Sequence, residues 1–162
     1  MTLLTVETLT QASFAPFGQV VDHAGLQGLS INQGFATRYN LQAQVETREG
    51  GHTQTSIFVA DPRPVPIAIA LMERHPLGSQ LFYPLQNRNW LVVVCADPLK
   101  PETYRAFEAS GTQGVNYAPG VWHHPLLVRE KGDRFFIVDR AGQGNNLDET
   151  WLEAPLHVQW PL

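Results

Sequence analysis

Thirteen glycines and twelve prolines cut the chain into short runs of β-branched and aromatic residues, and that punctuation leaves few folds open. The runs are "FGQVVD", "TQTSIFVAD", "PIAIALMERH", "SQLFYPL", "WLVVVCAD", "TYRAFEAS", "VWHHPLLVR", "RFFIVDR" and "LHVQW". Many short strands bounded by turn formers at near-regular spacing predict an all-β sandwich or barrel. Helical signals are few. "LTQASFAPFG" predicts one short helix, capped by Thr10 and ended by Pro16 and Gly18, and "DETWLEA" offers a second. Pro62, Pro64 and Pro66 read as a stiff connector between two strands.

A length of 162 residues suits one domain, 1–162, around one core. An apolar share of 43% against 16% charged residues argues for a packed interior and against disorder. The net charge of -4, with 11 scattered basic residues, leaves no footprint for nucleic acid or an anionic membrane. The single cysteine, Cys95, lies inside "WLVVVCA" and reads as a buried structural thiol in a reducing compartment. The N-terminus has no basic stretch followed by a long apolar one, so no signal peptide is expected. The longest apolar run, Trp90 to Ala96, falls far short of the roughly 20 residues that span a bilayer. These features predict a cytoplasmic protein.

Two strand regions carry polar residues where a core strand would not. One is "MERHPLGSQLFYPL", residues 72–85. Strand side chains alternate between faces, so Glu73 and His75 share one face and Arg74 takes the other. After the Pro76–Gly78 turn, Gln80 and Phe82 share a face, and Glu73, His75 and Gln80 converge if the sheet closes. The other is "GVNYAPGVWHHPLL", residues 114–127. There alternation puts His123 inside and His124, with Trp122, outside. The remaining histidines, His23, His52 and His157, read as solvated. "GQGNN" at Gly142–Asn146 follows a strand and opens no helix, so it reads as a turn and not a phosphate loop.

The two regions resemble the paired motifs of the cupin superfamily, a double-stranded β-helix or jelly-roll barrel. The first motif reads here as Glu73, His75, then Gln80, Phe82 and Pro84; the second as Gly114, Pro119, Gly120 and His123. The chain departs from the superfamily pattern, with Glu73 at the first His position, Gln80 at the Glu position and Leu127 at the closing Asn. Asn87 stands where the first motif ends in glycine, and asparagine is the next most tolerant residue of a left-handed turn. The resemblance implies a metal set of Glu73, His75, Gln80 and His123. Such a set suits a loosely held Ni²⁺, Mn²⁺ or Zn²⁺, or else forms a metal-free polar pocket.

Four segments, "ERHPLGSQLFYPL", "GTQGVNYAPGVWHHPL", "INQGFATRYN" and "IVDRAGQGNNLDE", resemble the bacterial, cupin-type ureidoglycolate lyase family of the allantoin pathway. The likeness runs from about Phe14 to Asp148. It implies a homodimeric carbon–nitrogen lyase that cleaves (S)-ureidoglycolate to glyoxylate and urea. Ureidoglycolate carries a hydroxyl, a carboxylate and a urea nitrogen on one carbon, so cleavage needs a base, an acid and an anion anchor. His123, His75 and Glu73 are the catalytic candidates, since histidine titrates near neutrality. Arg38 is the first choice for a bidentate carboxylate clamp, against a structural ion pair, and Arg140 the second, against an ion pair with Asp139. Asn32, Asn116 and Tyr117 are candidates for the ureido group, and Gln80 for substrate contact or for orienting His75. Three other classes stay open: an amidohydrolase releasing ammonia and CO₂, a non-catalytic cupin that binds a small hydroxy acid or sugar, and a metal-dependent isomerase or oxygenase on the same barrel.

Overall fold

The computed structural model describes residues 1–160. In chain order the strands are β1 (Leu3–Leu4), β2 (Val6–Thr8), β3 (Gly18–Val21), β4 (Leu29–Ile31), β5 (Ala36–Arg38), β6 (His52–Ala60) and β7 (Ile67–Arg74). There follow β8 (Gln80–Pro84), β9 (Trp90–Cys95), β10 (Tyr104–Ala109), β11 (Gly114–Tyr117), β12 (Trp122–His123), β13 (Asp133–Ala141) and β14 (Asp148–Val158). One short helix, α1 (Gln11–Phe14), precedes β3.

Two sheets face each other in a barrel. The larger has seven strands in the order β1-β14-β7-β12-β9-β10-β2, and the smaller five in the order β3-β11-β8-β13-β6. The expected all-β barrel is therefore present. β4 and β5 pair only as a separate two-stranded hairpin.

β9 lies inside the large sheet, between β12 and β10. All six of its residues are buried, with Trp90, Val92 and Val94 in the barrel core and Leu91, Val93 and Cys95 in a second core behind the sheet. A continuous apolar run is what a strand covered on both faces requires. The barrel core is aromatic: Phe14, Phe82, Trp90, Phe107 and Phe135 are all essentially dry. α1 closes one end of it. Thr10 and Ser13 cap the helix reciprocally, as the sequence predicted for Thr10, and the helix delivers Phe14 against Phe107 at 6.0 Å, edge to face. Gly114 is required on β11 because a Cβ there would lie 2.3 Å from the Phe82 carbonyl oxygen.

Several expectations are corrected. "DETWLEA" is no helix; it lies in β14, with Asp148 opposite Arg74 and Leu156 opposite Ile69. Pairing with β7 outweighs a weak local helical preference. The "VWHHPLLVR" strand shrinks to two residues, because Pro125 cannot donate to a ladder. Left-handed backbone at non-glycine residues occurs at Asn32, Gln33 and Glu49, and not at Asn87. His157 is half-buried in β14 and not solvated.

Cys95 is 2% exposed, and burial pushes its thiol up to about 12. A thiol-specific reagent at pH 8 is therefore expected to label no cysteine in the folded protein, and one per chain after denaturation. Rapid labelling of the native protein would contradict this placement.

Candidate active site

Three side chains with lone pairs meet at the inner face of the large sheet. Glu73 occupies the penultimate position of β7, and His75 follows just past the strand end. β12 lies between β7 and β9, so His123 sits opposite both Glu73 and Val94. The pairing puts His123 on the same inward face as Glu73, while Arg74 turns outward to Asp148 (2.9 Å) and the Trp122 ring. The His123 Nε2 is 3.5 Å from Glu73 Oε1, and the His75 and His123 rings lie 5.2 Å apart. The ligand atoms of Glu73, His75 and His123 all lie within 4.8 Å of one another. Tyr117 stacks flat on His123 at 4.1 Å and 11°, which fixes the imidazole plane.

The hydrogen bonds fix the ring orientations as well. His75 Nδ1 lies 2.8 Å from the Asn146 carbonyl, and His123 Nδ1 3.0 Å from the Val121 carbonyl. A carbonyl oxygen only accepts, so both Nδ1 atoms carry the hydrogen and donate it. Each neutral ring then presents its Nε2 lone pair, and both Nε2 atoms are buried without a partner. Burial holds His75 below the ordinary histidine range, with the nearby His123 adding to the effect. For Glu73, burial pushes the carboxyl up, but the neighbouring imidazoles, His123 first, outweigh it and the net shift is downward. Three electron-pair donors with no hydrogen between them repel one another unless a proton or a cation sits among them. The donor set therefore fits a divalent ion: two imidazoles, one carboxylate, and orphaned buried nitrogens.

The other predicted residues divide into two groups. Gln80 is inside, buried, with its amide nitrogen donating to Asp139 (3.2 Å) and its carbonyl oxygen unpartnered. It orients Asp139 and not His75. Tyr117 is inside as the stacking partner. Asn116 points to the opposite face of β11, where it donates to Gln19 and to the Gln44 carbonyl. Arg140 also faces outward, donating to the carbonyls of Arg48 and Gln143, and it makes no ion pair with Asp139. Arg38 and Asn32 lie on the exposed β4–β5 hairpin, where the Arg38 Nε donates to Asn40.

His124, placed on the outer face by alternation, is packed away from solvent. It falls past the end of β12, is 3% exposed, and burial pushes it down to about 4. Three contributors had no signal in the sequence. Asn146, in the segment read as a plain turn, holds His75 by its carbonyl and caps the Leu77 N–H by its side chain. Asp139 lies within electrostatic reach of His75, and Arg63 within reach of His124.

A cavity of about 440 Å³ opens beside the cluster, along the β6 edge. Residues 57–60, Phe82, Pro125 and Leu126 line it, and Glu73 is the ionisable group in its wall. An apolar cleft with a few convergent polar groups is where a small ligand binds.

The sequence was compared with known families and proteins. A family model described as ureidoglycolate lyase matches residues 1–159. A ureidoglycolate lyase of Stutzerimonas stutzeri is 49% identical over 152 residues, covering 92% of this chain and 89% of that one. One of Burkholderia mallei is 46% identical over 158 residues, covering 96% and 93%. Among solved structures, a 3,4-ketoisomerase from Thermoanaerobacterium thermosaccharolyticum is 10% identical with a TM-score of 0.47, over 80% of this chain and 84% of that chain.

Proposed function

The chain belongs to the ureidoglycolate lyase family, and we propose that it cleaves ureidoglycolate to glyoxylate and urea with Glu73, His75 and His123 at the reacting carbon. The observation that carries the residue assignment is the pair of inward Nε2 lone pairs beside an ionised carboxylate. The substrate needs a base at its hydroxyl and an acid at its departing nitrogen, and both groups hang from one carbon. One imidazole therefore serves both. His123 Nε2 takes the hydroxyl proton, the O–H electron pair becomes the C=O bond of glyoxylate, and the C–N pair leaves with the urea nitrogen. The same proton then passes from His123 to that nitrogen, and the books of atoms and charge close. Glu73 stabilises the transient imidazolium, and Tyr117 keeps the ring in plane. His75 accepts a hydrogen bond from the ureido N–H. Arg38 anchors the carboxylate. Apolar walls from β6 and Phe82 flank the site.

A divalent ion is the second reading, favoured by the orphaned nitrogens. Glu73, His75 and His123 would hold it, with the free Gln80 carbonyl as a fourth donor, and it would supply Lewis acidity at the hydroxyl and carboxylate oxygens. In either form the protein is taken to work as a single domain over 1–162, as a cytoplasmic homodimer in allantoin breakdown. The homodimer is supported by the long open edge of β6. Among the described residues no helix is long and apolar enough to cross a membrane.

Product analysis tests the reaction. Racemic ureidoglycolate is expected to give equal glyoxylate and urea, above the spontaneous rate, until half the racemate is consumed. Ammonia in place of urea would make the protein an amidohydrolase, and no product would leave only a binding pocket. Metal content by mass spectrometry before and after EDTA separates the two forms of the site. A stoichiometric metal lost together with activity assigns the cluster as ligands, and full activity without metal assigns it to proton transfer.

A further inference from the structure

The lyase reading leaves the pocket one group short. The substrate carboxylate needs a cation, and the charged groups acting on His75 are the acids Glu73 and Asp139. Arg74 is spent on Asp148 and Trp122, and Arg140 on loop carbonyls. Arg38 is on a hairpin whose two feet stand on the β3 side of the small sheet. Gln44 donates its N–H to the Gln19 side chain there, and the His23 and Tyr39 rings meet at 5.0 Å. The cavity opens along β6, the edge of that sheet opposite β3. No hairpin residue lines it.

Both surfaces are unfinished in the same sense. The hairpin exposes Phe35 at 91%, with Leu29 and Ile31 also open. β6 is a nine-residue edge strand with Val59 66% and Ile57 51% exposed. A long apolar edge left bare is a pairing site. The charges are complementary as well. Residues 27–45 contain a single charged side chain, Arg38, and no acid, while the cavity wall carries Glu73.

We propose that the β4–β5 hairpin of a second copy of this chain docks on the β6 edge and brings its Arg38 to the Glu73–His75–His123 pocket, so that each active site is built from two subunits. This rests on the lyase reading for the identity of the anchored carboxylate. The partnership is reciprocal, because a two-fold axis that puts one arm on one edge puts the other arm on the other. It explains why the arm folds as a hairpin yet lies apart from the cavity of its own chain.

Complementation between two damaged subunits tests it. Arg38→Ala removes the arm's charge, and Glu73→Gln disables the pocket. The two full-length variants, carrying different affinity tags, are co-expressed, and the doubly tagged species is purified. In that heterodimer one site combines an intact pocket with an intact arm. Assayed well below KM, its activity is expected at about half that of wild type per molecule, far above either parent. An activity no higher than the parents' would overturn the proposal and return the anchor to the chain's own cations, Arg63 first. So would failure to recover any doubly tagged species. Phe35→Asp supplies a readout that needs no turnover. It is expected to shift the mass in light scattering from two chains to one, and an unchanged dimer overturns the docking. If the wild type itself turns over no ureidoglycolate, the lyase reading fails, while tag recovery and the Phe35→Asp mass still decide the association.

Discussion

His123→Asn lowers kcat by ~10²–10⁴-fold with little change in melting temperature. Asparagine keeps an N–H that can reach the Val121 carbonyl, which His123 Nδ1 now contacts at 3.0 Å, but it has nothing in place of Nε2. The loss therefore isolates the atom that faces Glu73 at 3.5 Å. Glu73→Gln is expected to cost a similar factor, and the double variant little more than either alone, because groups that act as one unit are not additive. Steady-state kinetics and a thermal melt on the same samples check this. A kcat near wild type for His123→Asn would remove the proton-transfer role. A collapse of the melt would make His123 a structural histidine. Arg38→Ala reads differently: KM should rise more than kcat falls, since an anchor binds ground state and transition state alike.

Trp90→Ala is the largest expected loss of stability, about 3–5 kcal/mol. Trp90 is 1% exposed, packs on Phe135 at 4.8 Å and on Phe82, and donates its indole N–H to the Gln113 carbonyl at 2.9 Å. Truncation opens a cavity at the centre of the barrel core and strands the Gln113 acceptor. For a chain of this size the melting temperature should fall by roughly 6–20 °C. Trp90→Phe should recover most of the packing while still losing the hydrogen bond. A loss below about 1 kcal/mol for the alanine variant would mean that the core closes over the gap.

The strands were legible because their residues are apolar at every position or at alternate ones. "WLVVVC" is apolar throughout, and β9 is buried at every one of its positions. Glu73, His75 and His123 were legible together because alternation put each on an inward face and the turns were short. Alternation failed one residue later. His124 lies beyond β12, where the chain bends into Pro125 and the two-residue period no longer applies. Asn116 shows the converse limit. It neighbours Tyr117 in the sequence, and for that reason it points the opposite way along β11. Arg38 and Asn32 were chosen for their chemistry, and nothing local in the sequence says that their hairpin lies apart from the barrel. Asn146 was illegible because it contributes a carbonyl, which every residue has.

Both imidazoles are aimed by peptide oxygens, those of Val121 and Asn146. A side-chain substitution scan would pass over the first of these positions as tolerant, although the path of the main chain there sets which nitrogen is free to react. The information that selects the tautomer is stored in the course of the backbone, not in the alphabet of side chains. Two relatives with different residues at those positions can therefore share one catalytic state, and a designer who copies the three functional side chains onto another barrel without its two carbonyls copies the letters and loses the instruction.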